Sequence, residues 1–140
     1  MIVIIRREKK MSFSLNACYA ALKTVKAQNV DEAFNVMIIA LIESKRYQQI
    51  NIADIIQDFN DKFGFSIPYF PMMRLLSNLC RKKILKRSQN RYFVNFDNDE
   101  LDSIGESFWN DLENQERNQK KIIGLLCAIH SYKVQRENNN

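Results

Sequence analysis

The 140-residue sequence predicts a mainly α-helical domain with one short β-hairpin. Three observations carry this. Apolar residues recur at helical spacing in successive segments. Three Gly and two Pro are too few for a turn-rich β architecture. One stretch, 84–95, drops the helical period and breaks into two short runs around Ser88-Gln89-Asn90. A chain of this length can bury a real core without metal or disulfide staples.

Residues 13–28 place Leu15, Cys18, Leu22 and Val25 on one helical face, with Lys23 and Lys26 off it. Asn29 stops that helix, and Asp31-Glu32 open the next in the first turn, where the helix dipole favours acids. From Ala33 to about Tyr47, Phe34, Met37, Ile38, Leu41 and Ile42 form a stripe that Val36 and Ile39 widen, the pattern of a central core helix. Gln49 to Ile52 fits a short strand, with Asn51 as N-cap of a helix carrying Ile52, Ile55, Ile56, Phe59 and Phe63. Gly64 sits where a C-terminal Gly belongs. Pro68 forces Ile67 extended, and Ser66 can cap the next helix.

That next helix, about 70–83, buries Met72, Leu75, Leu76 and Leu79, with Pro71 confined to its first turn. Ile84–Arg87 and Arg91–Asn95 read as strands, and Asn90 can take the left-handed conformation that closes the hairpin. Two further helices occupy about 99–135. The first carries Leu101, Ile104, Phe108 and Leu112 with Trp109 beside them; the second carries Ile122, Leu125, Leu126 and Ile129. Residues 1–12 read as a disordered leader with a plausible start at Met11, residues 13–135 as one domain, and 136–140 as a frayed tail.

Charge is the most asymmetric property of the chain. Between Pro71 and Asn95 lie seven cations and no Asp or Glu; between Phe96 and Glu116 lie eight acids and no Lys or Arg. The net charge of +5 hides this. A localised basic surface points to a polyanion, most simply the DNA backbone. Three widely spaced cysteines argue against a disulfide framework and for a reducing compartment. With no apolar run of membrane-spanning length, a cytoplasmic protein without a membrane partner is expected.

The order helix, helix, basic helix, hairpin over residues 33–95 resembles the winged helix-turn-helix superfamily. The likeness is one of element order and apolar spacing. It implies a winged-helix core with flanking N- and C-terminal helices, a positioning helix at 52–63, a recognition helix at 70–83 and a wing around Lys86–Arg91. It further implies that Arg74, Ser77, Asn78 and Arg81, the exposed stripe of that helix, read bases in the major groove. Lys82, Lys83, Lys86, Arg87 and Arg91 would contact phosphates or the minor groove. The expected function is DNA binding, as in a bacterial or mobile-element transcriptional regulator.

A second reading stays open. The helix begins with the apolar run Ile67–Met73, which suits an adaptor subunit docking another protein through Tyr69, Phe70 and Met73. Burial of these three favours DNA; contiguous exposure favours a protein. The stripe Ile122, Leu125, Leu126 and Ile129 is either core or a homodimer seam, and two-fold symmetry suits palindromic operators.

Cys127-x-x-His130 could join Cys18 and Cys80 in a zinc site, but Cys18 lies on an apolar face and Cys80 beside core Leu79, as buried thiols do, and no second close pair exists. Asp99 with Asp102, or Glu106 with Asp111, read as a solvated acidic face. No nucleophile motif or phosphate loop is present, so neither an enzyme nor a cofactor is expected.

Overall fold

The computed structural model describes residues 15–24, 29–89 and 91–138. It is mainly helical with a small antiparallel sheet. The elements are α1 (15–24), α2 (Val30–Lys45), β1 (Gln49–Ile50), α3 (Ile52–Phe63), α4 (Tyr69–Arg81), β2 (Leu85–Ser88), β3 (Arg91–Val94) and α5 (Asp99–Asn138). The sheet order is β1-β3-β2. Helix, strand, helix, helix and hairpin succeed one another as the sequence pattern implies.

Local signals set several boundaries. The Asn29 side chain accepts from Glu32 N and starts α2; Asn51 accepts from Ala53 N and starts α3. Each satisfies a backbone donor that a helix start leaves orphaned. Gly64 closes α3 with φ of 82°, a conformation only glycine adopts without strain. The expected Ser66 cap does not form. Pro68 is the N-cap of α4, with no side-chain cap bond, and its fixed φ suits the extended approach. Gln89 takes a left-handed φ of 49° at the hairpin tip, while Asn90 lies outside the described residues.

α2 is the centre of the molecule. Its residues Asn35 to Ile42 are all buried, because α5 packs along one side and α4 along another. A helix surrounded in this way is apolar nearly all round, with Asn35 as the polar residue in its buried run. An aromatic cluster locks α3 to both: Phe59 lies 6.3 Å from Phe34 and 4.9 Å from Phe63, and Phe63 meets Phe108 at 5.9 Å and Trp109 at 6.1 Å. Trp109 donates its indole N–H to Ala40 O at 3.1 Å, which allows a half-buried polar ring to sit in the core.

Two expectations are corrected at the ends of the chain. In α1 the buried residues are Ala17, Ala20 and Ala21, whereas Leu15 and Leu22 are exposed, Cys18 is half-buried, and Val25 lies outside the described residues. Periodicity assigns the large side chains to the core, but the face that α1 buries is the one carrying its alanines. The two C-terminal helices are one helix, α5, whose 40 residues extend about 60 Å. It buries Leu101, Gly105, Phe108 and Leu112, and from Lys120 to Asn138 every residue is exposed. Ile122, Leu125, Leu126 and Ile129 are therefore no part of this chain's core. The leader assigned to residues 1–12 lies outside the described residues.

Candidate nucleic-acid interface

The basic surface is built on the turn at the end of α4. Burial of Met72, Leu75, Leu76 and Leu79 fixes the rotation of that helix. Ile84 and Leu85 then anchor β2 in the core, so the chain must reverse over two residues. Lys83 achieves this with φ of 62°, its N–H bonding to Cys80 O and Ile84 N–H to Leu79 O. Lys82 and Lys83 are left pointing outward, both exposed.

Two asparagines absent from the sequence-predicted site hold this turn. Asn95 donates from Nδ2 to Lys83 O at 2.9 Å, and Asn98 from Nδ2 to Lys82 O at 3.2 Å. A signal for them exists in the sequence: polar residues just past the hairpin, suited to side-chain-to-backbone bonds.

In the hairpin, Lys86 pairs with Phe93, Arg87 with Tyr92 and Ser88 with Arg91. Alternation along a strand puts Lys86 and Arg91 on one face and Arg87 on the other. Arg87 stacks 5.7 Å from the Tyr92 ring, which orients it. All three cations are exposed. Lys82, Lys83, Lys86, Arg87 and Arg91 are all exposed along the turn and hairpin, a basic ridge on which Arg87 stands on the opposite side of the sheet from Lys86 and Arg91. Burial raises the thiol pKa of the neighbouring Cys80, and the Arg87 guanidinium pulls it the other way.

The α4 stripe is less uniform. Arg81 is exposed. Arg74 is exposed but paired with Asp31 at 3.1 Å. Ser77 is half-buried and donates its hydroxyl to Met73 O at 2.9 Å. Asn78 is half-buried and shares an open hollow with Arg81, Lys82 and the start of α2. The N-terminus of α2 therefore flanks one side of the stripe and sets acidic groups beside two of its arginines.

At the other end of α4, Tyr69 is 51% and Phe70 77% exposed, with their rings edge to face at 5.6 Å, while Met73 is half-buried. Tyr69 also borders a second open hollow with Asn51, Gln89 and Arg91, which places the helix start beside the hairpin tip.

The remaining sequence candidates do not assemble. Cys18 and Cys80 are half-buried on α1 and α4, Cys127 is exposed on α5, and no metal-binding group of His, Cys, Asp or Glu forms among the described residues. Asp102 pairs with Arg46 at 3.1 Å, and Asp111 accepts from the Thr24 hydroxyl at 3.0 Å. No helix among the described residues is long and apolar enough to cross a membrane. Comparisons with protein-family models, curated proteins and solved structures find no match.

Proposed function

We propose that this chain is a winged-helix DNA-binding protein, a transcriptional regulator that grips duplex DNA through the basic ridge and reads it with α4. The observation that carries this reading is the ridge itself: five exposed cations on a rigid turn and hairpin, with no acid between Pro71 and Asn95. Fixed cations at a hairpin and helix end neutralise phosphates and release counterions, the main source of affinity for duplex DNA. Arg81 is the best-placed base reader, exposed and without the ion pair that Arg74 makes with Asp31, although it and Asn78 both border the hollow at the α2 N-terminus. The active form has two copies, with Ile122, Leu125, Leu126 and Ile129 in the seam. It is a cytoplasmic binding protein rather than an enzyme.

The exposure of Tyr69 and Phe70 favours a second reading, a protein partner docked at the start of α4. Two rings make a smaller patch than protein-docking surfaces usually offer, so the ridge takes precedence. The test is an electrophoretic or fluorescence titration of random duplex DNA at several salt concentrations. If about four cations meet phosphates, log affinity should fall against log salt with a slope of about −3.6. Affinity that is absent at low salt, or flat with salt, overturns the DNA reading in favour of the adaptor.

A further inference from the structure

The apolar face of α5 does not stop where its cover does. At alternating steps of four and three it runs Leu101, Gly105, Phe108 and Leu112, passes Gln115 and Gln119, and resumes as Ile122, Leu126 and Ile129. The first four are buried under this chain's own helices. The last three are 46–60% exposed, with Leu125 at 62% and Tyr132 at 68% flanking them. α1, which runs beside residues 111–119 of α5, exposes Leu15, Tyr19 and Leu22. A contiguous apolar face of this extent marks an interaction surface.

We propose that a second copy of this chain covers that face, with the two α5 helices antiparallel and crossing near Leu125 and Leu126. This deepens the two-copy reading above and rests on it, but not on DNA binding. The charge along α5 selects both occupant and direction. Residues 99–116 contain seven acids and no cation; residues 117–138 contain Arg117, Lys120, Lys121, Lys133 and Arg136 against the single acid Glu137. Parallel copies would set the basic half against the basic half. Antiparallel copies bring Arg136 within about a turn of the partner's Glu113 and the partner's Glu116, with the partner's Arg117 as the one cation among them, while identical apolar stripes meet at the two-fold axis. The same overlap carries the end of the partner's α5 toward the α1 stripe.

Residues 6–10 of the chain, Arg-Arg-Glu-Lys-Lys, separate the apolar residues 1–5 from α1 and offer an apolar face no cover of their own. α1 and α5 are antiparallel, with Asn16 bonded to Gln119 at 2.7 Å and Thr24 to Asp111 at 3.0 Å. In both pairs the residue numbers sum to 135.

Sedimentation of the full chain without DNA tests this. The wild type should sediment as a dimer at micromolar concentration. Leu126→Glu with Ile129→Glu should be a monomer of unchanged helix content, because neither side chain is part of the buried core. Arg136→Glu should weaken the dimer about threefold at low salt, as should Glu113→Lys with Glu116→Lys, and combining all three should recover most of the loss. A wild-type monomer at 100 micromolar would overturn the second copy as occupant, leaving residues 1–14 or a different protein, with the DNA titration still to be judged alone. A dimer that survives the Leu126/Ile129 change would overturn this seam but not the two-copy reading. Failure of the combined charge variant to recover would overturn the antiparallel register.

Discussion

Tyr47 shows how a single polar contact ties two helices at the edge of the core. Its hydroxyl donates to Asp58 on α3, and Lys45 approaches the same carboxylate at 3.4 Å. Burial first, then the bonded and charged Asp58, raise the phenol pKa well above its usual 10. The fold therefore favours the neutral phenol. Its contribution is complete below pH about 10 and is lost as pH rises toward the folded value, because the unfolded phenol ionises first. Stability measured by guanidinium titration should fall less between pH 9 and pH 11 in Tyr47→Phe than in the wild type. Equal losses would show that the contact does not persist in solution. At the interface, the residue scale divides the cations. Lys86→Ala and Arg91→Ala should weaken all DNA sequences alike and shallow the salt slope, whereas Arg81→Ala should relax base preference and cost roughly 1–3 kcal/mol on the best site. Selections from a randomised duplex pool would separate the two classes. The cations themselves were legible in the sequence. The Asp31 pair on Arg74 and the bond from Ser77 to its own helix were not, because both depend on where α2 begins relative to α4.

At the scale of elements, the glycines of α5 report what each half of that helix touches. A Cβ on Gly105 would stand 2.7 Å from Glu43 Cγ and 2.8 Å from Glu43 Cβ, whereas one on Gly124 would meet nothing within 4 Å. Alanine normally stabilises a helix interior over glycine by up to about 1 kcal/mol. Gly124→Ala should obey that rule. Gly105→Ala should reverse it, costing about 1–3 kcal/mol, because the atoms in the way lie near the backbone of a packed helix. Chemical denaturation of both variants gives the two signs directly. In α1 the alanines lie inside and the leucines outside. Periodicity located that helix, but it weighed faces by side-chain size and so chose the wrong one.

The whole molecule is polarised. A basic ridge occupies one region, an acid-rich half-helix comes next in sequence, and a bare apolar helix end projects beyond. If two copies join through α5, each presents its own ridge, and DNA carrying two half-sites holds both at once. The monomeric Leu126→Glu with Ile129→Glu variant should then bind a two-site duplex at least about tenfold more weakly than the wild type while binding a single half-site equally well. Equal affinity for both duplexes would show that each copy acts alone.

The sequence by itself determined the α2–β3 element order, the caps at Asn51 and Gly64, the core stripes of α2, α3 and α4, and the segregation of charge. These are local: periodicity, capping chemistry and composition act within a few residues of one another. Only the tertiary structure decided which face of α1 is inside, that residues 99–138 form one helix, and that its second half is uncovered. Those outcomes depend on how closely helices approach and where a neighbour ends. Ile122 and Phe108 look alike as members of an apolar stripe; one is bare and the other buried because α1 and α2 run alongside the first half of α5 and not the second.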